Sequence, residues 1–261
     1  MNARGFALVA VLWVITAMTA LTGAGMLVAR LGSATTRNRV LLTRAEWARE
    51  ACGEILQARF AHDPTIRDLG RIDLGRGTWC SASLEDPAAK VNLNTADRDV
   101  LARLFQVVGL PRTLADSVIT QRRQGTIYDL RQVRGVDATL AGRLAPFVTT
   151  RGIGVLNVNA APREVLRLLP GATEESVALI QSRRTSRPLQ STDELAGTLS
   201  PASRAILLRN YSEFARTAVF APPQLIVSLE GAVRDTPIVA RATLTVVPVP
   251  GRLAVIRRET D

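Results

Sequence analysis

His62 is the one histidine in the chain and stands beside Asp63. With a serine, those two residue types could build a nucleophilic triad, the imidazole taking the serine proton and the carboxylate orienting the ring. No Gly-x-Ser-x-Gly turn accompanies them, so a solvated surface histidine is the simpler reading. Cys52 and Cys80 are the only cysteines. With a single histidine they fall short of the four ligands of a structural zinc site, and the same count argues against haem and iron–sulfur ligation. Gly70, Gly75 and Gly77 fit neither a phosphate-cradling loop nor a dinucleotide fingerprint, and no EF-hand spacing of acids is present. The acid pairs Glu174-Glu175 and Asp193-Glu194 fall where helices are expected to start, and the helix dipole accounts for them there. No catalytic constellation emerges, and the chain reads as a non-enzyme without an evident cofactor.

The elements that carry these residues are more telling. The chain has 261 residues, 47% of them hydrophobic and 21% charged, which excludes a disordered or fibrous protein. Its net charge of +10 comes from 32 arginines and a single lysine, Lys90, spread without a dense tract. A nucleic-acid footprint needs clustered charge, so an arginine-rich composition explains the excess and no nucleic acid is expected as partner.

From Phe6 to Ala29 no residue is charged, and only Met1-Asn2-Ala3-Arg4-Gly5 precedes them. As a helix this stretch would extend ~36 Å, enough to cross a hydrocarbon core of ~30 Å with some tilt. A cleaved secretory signal would have a shorter apolar run; a plain signal anchor is a second possibility. The boundary Arg4-Gly5-Phe6 resembles the leader of type IV pilins and type II secretion pseudopilins. That resemblance implies cleavage at the Gly5–Phe6 bond by a prepilin peptidase and methylation of the new terminal residue, Phe6. The family usually carries glutamate at the fifth position after the cut, where this chain has Ala10. An acid in the bilayer core costs several kcal/mol unless compensated, and its absence is typical of one member, the minor pseudopilin K or GspK family. Arg30, Arg37, Arg39 and Arg44 follow the span against Arg4 before it, and the positive-inside count would leave the bulk of the chain in the cytoplasm. The leader pattern instead implies a single-pass inner-membrane protein of a Gram-negative bacterium with a periplasmic bulk.

Beyond the span, Leu41, Ala45, Ala48, Cys52 and Ile55 recur at helical spacing, which predicts one amphipathic helix over 6–60. A break near Gly32-Ser33 is the alternative, since glycine costs ~1 kcal/mol inside a helix. Asp63-Pro64 closes the helix, and Thr78–Leu84 reads as a strand in a first strand region over 61–90. A disulfide between Cys52 and Cys80 is permitted outside the cytoplasm, but both also read as small buried hydrophobes.

The middle of the chain is duplicated. Asn92-Leu93-Asn94-Thr95-Ala96 returns 65 residues later as Asn157-Val158-Asn159-Ala160-Ala161. Taking four residues out of the second copy, Val118–Arg123 then meets Leu179–Arg184; Tyr128-Asp129-Leu130 and Asp193-Glu194-Leu195 close each unit. The asparagines suit turns and helix caps. Two helical units are predicted, over 91–152 and 153–213. They resemble the helix-hairpin-helix module of ComEA-type competence proteins, which makes a membrane-anchored DNA-binding protein the alternative function. That module needs a Gly-hydrophobic-Gly hairpin; Val108-Gly109-Leu110-Pro111, Leu169-Pro170-Gly171-Ala172 and Arg134-Gly135-Val136-Asp137 each offer one glycine. The units also resemble the tandem SAM-like insert of the GspK family.

After Tyr211, segments 214–220, 224–229, 238–247 and 253–257 read as strands. The expected fold is therefore α+β. A long transmembrane and amphipathic helix packs on a pilin-like antiparallel sheet carrying a duplicated all-α insert, with final strands over 214–261. What the resemblance implies is a minor pseudopilin at the tip of the secretion pseudopilus, initiating and capping assembly. Minor pseudopilins I and J, the prepilin peptidase and inner-membrane lipid would be its partners. Calcium is allowed by the resemblance, without ligands that the sequence names.

Overall fold

The computed structural model describes residues 3–260, and the surroundings of side chains from Val11 to Glu259. One helix, α1 (Ala3–His62), runs through the whole apolar stretch and on to the sheet. It is unbroken at Gly23, Gly25 and Gly32, so the glycine penalty is absorbed and the two-helix alternative falls. β1 (Asp68–Gly75), β2 (Thr78–Glu85), the two-residue β3 (Val91–Asn92), α2 (Arg98–Val107), α3 (Leu114–Gln124), α4 (Ala138–Leu144) and β4 (Val148–Thr149) follow. The second half brings β5 (Leu156–Asn157), α5 (Arg163–Leu166), α6 (Glu174–Arg183), α7 (Thr192–Thr198), α8 (Pro201–Arg209), α9 (Tyr211–Thr217) and β6 (Ala218–Val219). The chain ends with β7 (Leu225–Val233), β8 (Val239–Val249) and β9 (Arg252–Thr260).

The main sheet has the order β1-β2-β7-β8-β9 and every pairing in it is antiparallel. β2 and β7 are neighbours although some 140 residues separate them, with Glu85 opposite Ile226. The helical region thus leaves and re-enters the sheet at one point and interrupts no pairing. β8 alternates as expected, with Ala240, Ala242 and Val246 buried and Arg241 exposed. The segment 214–220 departs from the strand expectation. Phe214 is buried on α9, and only Ala218 and Val219 are extended, paired in parallel to Leu156 and Asn157.

Two cores result. One packs Ala48, Cys52, Leu56 and Phe60 of α1 against Leu84, Leu225, Val227 and Leu229 of the sheet. The buried helix face runs Ala45, Ala48, Cys52, Leu56, Phe60, whereas Ile55 is only half-buried. At 100° per residue, a step of four after Cys52 keeps the stripe over the sheet. The other core is continuous through both helical units, joining Leu104, Phe105 and Ile127 of the first to Leu166, Ile180 and Leu207 of the second.

The duplication is visible in the hydrogen bonds. Asn94 donates through Nδ2 to the carbonyls of Ile127 and Thr150 and accepts from the Ile127 N–H, at 2.9 Å each. Asn159 does the same with the carbonyls of Leu189 and Phe220 and the Leu189 N–H. Arg122 donates to the Ala96 carbonyl and Arg184 to that of Ala161. Gln132 accepts from the Tyr128 N–H, and Glu194 from that of Gln190. These pairs revise the alignment: Arg122 corresponds to Arg184 and Gln132 to Glu194, so three residues, not four, are missing from the second copy, and Tyr128 meets Gln190 and not Asp193. They also correct the role of the asparagines. Asn92 and Asn94 do not cap α2, whose start is Asp97; they tie strand ends to distant loops.

Candidate assembly surface on the long helix

Among the described residues no group of three or more His, Cys, Asp or Glu side chains converges. A cation such as calcium takes several oxygen ligands, and no carboxylate cluster of that kind is found among the described residues. His62 is exposed at the last residue of α1. The surface that remains is α1 itself.

Its first half is an apolar rod with nothing packed on it. From Val11 to Val40 every side chain is exposed, among them Trp13, Met18, Leu21, Met26 and Leu27. Leu21 is 79% exposed, which in water would be costly across so many residues. The hydroxyls inside this stretch are satisfied internally. Thr16, Thr19 and Thr22 donate to the carbonyls of Leu12, Ile15 and Met18 at 2.7, 2.8 and 2.8 Å. The three hydroxyls from 11 to 29 therefore need no water, as a bilayer requires of polar groups in its core. The sequence reading missed these threonines; their three-residue spacing inside an uncharged helix was the available signal. The helix is long and apolar enough to cross a membrane.

Its second half is locked to the sheet. Ala45 and Ala48 are small, so the backbones of α1 and β7 approach closely at Gly231. A Cβ there would meet the Ala45 carbonyl and the Arg49 backbone. Cys52 and Cys80 form a disulfide with a Cα–Cα distance of 5.8 Å, and both are fully buried. The reading of the two cysteines as mere small hydrophobes is thereby overturned. Periodicity showed that Cys52 faces the core but could not show that Cys80, on the inward face of β2, lies beneath it. Gln57 accepts the Leu253 N–H of β9 at 3.1 Å.

Gly5, Phe6 and Ala10 lie on the backbone of α1, and their side-chain surroundings fall outside the described residues.

At the root of the helical insert sits Asp86. It accepts from the Ala88 N–H at 2.9 Å and from Asn157 Nδ2 at 2.7 Å. Burial pushes its carboxyl above the usual range, against the pull of the Asn157 and Ala88 hydrogen bonds. Elsewhere in the insert Glu174 and Glu175 are exposed. Glu174 is held down to about 2 by hydrogen bonds from Arg167 and Arg163. Glu175 is lowered by the hydroxyls of Ser200 and Ser203.

The three turns that could have resembled DNA-binding hairpins differ from one another. Gly109 and Gly135 have positive φ with open space where a side chain would lie. Gly171, at φ +72°, has Asn210 and the Ile206 carbonyl where a side chain would lie.

No family model matches the chain, and no curated protein does. A solved structure does: a chain in the crystal structure of the GspK–GspI–GspJ complex from the enterotoxigenic Escherichia coli type 2 secretion system. The similarity has a TM-score of 0.63 at 16% identity and covers 87% of this chain and 99% of that one. The shared feature is the fold, and it extends over both the sheet and the helical region. An α+β protein with a long N-terminal apolar helix on an antiparallel sheet, compatible with the pilin-like class, is what the fold defines. The particular likeness is to a chain of a secretion pseudopilin complex.

Proposed function

We propose that this chain is a minor pseudopilin of a type II secretion system, of the GspK kind, acting at the tip of the pseudopilus. The observation that carries the reading is α1: one uninterrupted helix, bare and apolar over 11–29 and bolted to an antiparallel sheet over 45–60. A soluble protein has no use for the first half, and a simple anchor has no need to continue it rigidly into the fold. The structural likeness to a chain of the GspK–GspI–GspJ complex supports the same reading.

In this proposal residues 1–5 are a leader, cut at Gly5–Phe6 by the prepilin peptidase, and Phe6 is then methylated. The chain sits in the inner membrane with its bulk in the periplasm, where the Cys52–Cys80 disulfide is chemically at home. Its work is mechanical rather than catalytic. Released from its leader, α1 exchanges inner-membrane lipid for the helices of neighbouring subunits, minor pseudopilins I and J. Ala10 offers no carboxylate for a subunit above, and the insert, read as two SAM-like units over 91–152 and 153–213, stands in the way of further addition. The DNA-binding alternative is not favoured: each hairpin has one glycine where the module needs two.

The test is the intact mass and N-terminal residue of the membrane-extracted chain, with and without prepilin peptidase. A chain beginning at methylated Phe6 only when the peptidase is present supports the proposal. A chain beginning at Met1 in both cases leaves an ordinary anchor and defeats it.

A further inference from the structure

The first 45 residues contain no Asp or Glu, yet they hold Arg30, Arg37, Arg39 and Arg44. Three of these are seven residues apart. Seven residues turn an α-helix through almost two full turns, a drift of about 20° per step. Arg30, Arg37 and Arg44 therefore form one exposed stripe ~21 Å long at 1.5 Å per residue. Arg39 points the opposite way. Among the described residues none of the four makes an ion pair. The stripe runs beside a wedge of about 770 Å³ between α1 and the turn joining β7 to β8. Arg37 and Leu41 line one wall, and Pro237 and Ile238 the other. Asp235 also lines it, without pairing to Arg37.

Phospholipid phosphates and a carboxylate-bearing helix would both neutralise such a stripe, and length separates them. The head-group layer adds roughly 5–8 Å beyond the hydrocarbon core on each side, and charge is screened over ~8 Å. With the uncharged span ending at Ala29, Arg30 lies in that layer. Arg37 is ~10 Å and Arg44 ~21 Å further along the axis. Lipid covers the first arginine, reaches the second weakly and misses the third. A second helix alongside α1 covers all three, and its apolar flank fills the wedge. We infer that Arg30, Arg37 and Arg44 are the docking edge for a helix of another subunit that carries carboxylates at the same seven-residue spacing. This deepens the pseudopilin reading and rests on it for the existence of a neighbouring subunit.

The test uses the full chain in phosphatidylcholine nanodiscs. The probe is a synthetic amphipathic helix with glutamate at three positions seven residues apart; its counterpart carries lysine there. The glutamate helix is expected to bind and the lysine helix not to. The variant R30Q/R37Q/R44Q should weaken binding about tenfold, the scale of three exposed ion pairs, and added salt should do the same. Arg39→Gln, on the far face, should leave it unchanged. Equal binding of the two helices, or unaltered affinity in the triple variant, overturns the inference. So does arginine-dependent binding to phosphatidylglycerol vesicles with no response to the glutamate helix, which makes the stripe a lipid contact. Peptidase cleavage of the same triple variant keeps the two readings apart. A chain cut at Gly5–Phe6 that ignores the glutamate helix overturns the stripe alone, whereas an uncut wild-type chain overturns the class.

Discussion

Asn157 and Asp86 show how much one buried pair decides. Asn157 is 3% exposed, its Nδ2 serves the Asp86 carboxylate, and its Oδ1 accepts the Asn159 N–H at 3.1 Å. Asp86 carries a raised pKa because burial penalises its charge. The sign follows: ionising Asp86 weighs against the folded state, so its contribution is best below the ordinary carboxylate pKa and declines as pH rises through the raised one. The Asn157 hydrogen bond offsets part of that loss. Asn157→Ala should therefore destabilise by about 1–3 kcal/mol at neutral pH, the cost of a buried charged group losing a donor. The loss should shrink in acid, where Asp86 is neutral. Denaturant unfolding at pH 7 and below pH 4 checks it; an equal loss at both would show that Asn157 acts through its other bonds alone. Glu174 has the opposite sign. Its lowered pKa gives stability that is present above the ordinary glutamate range and fades as pH falls toward about 2. Because Glu174 is fully exposed, that effect is screened and small.

At the scale of elements, the union of α1 and β7 is the point on which the head depends. Two small residues, Ala45 and Ala48, and Gly231 let the backbones touch, and the disulfide adds a covalent tie across 28 residues of chain. Closing a loop of that size contributes about 3.6 kcal/mol by limiting the unfolded chain. Gly231→Ala should cost about 1–3 kcal/mol, since its methyl would meet helix backbone rather than a side chain that can swing away. A thermal melt of the variant reads this directly. An unchanged melting temperature would mean that α1 can lift without loss, and the rigid coupling of helix to sheet would be disproved. The helical insert obeys a different logic. Its two units share one core, so neither buries its apolar face alone.

For the whole molecule, the consequence of the architecture is that a force or a binding event on the bare half of α1 reaches the sheet without a hinge. Ala10→Glu places a carboxylate at the fifth of the 24 uncharged residues, at an insertion cost below the about 2.5–3.5 kcal/mol of a charge at the centre of a span. In the proposed tip role it should leave the fold of the head intact while impairing assembly, measured as secretion and as recovery of co-purified minor pseudopilins. Normal secretion by this variant would count against the tip position.

The sequence by itself determined the elements whose signal is local. Twenty-four uncharged residues after Arg4-Gly5 announce the span, helical spacing through Ala45, Ala48 and Cys52 continues it, and alternation marks β8. The twin Asn-x-Asn motifs likewise betray the duplication. Each of these is written in neighbours a few residues apart, where backbone geometry alone sets the period. What the tertiary structure decided lies between distant residues. It paired Cys52 with Cys80, set β2 beside β7 and tied Asp86 to Asn157. It also revised the repeat alignment and turned Phe214 into a helix. None of these has a period to read, because each is fixed by which surfaces meet when two cores close. A short apolar run such as 214–220 serves helix and strand equally well until its neighbours choose.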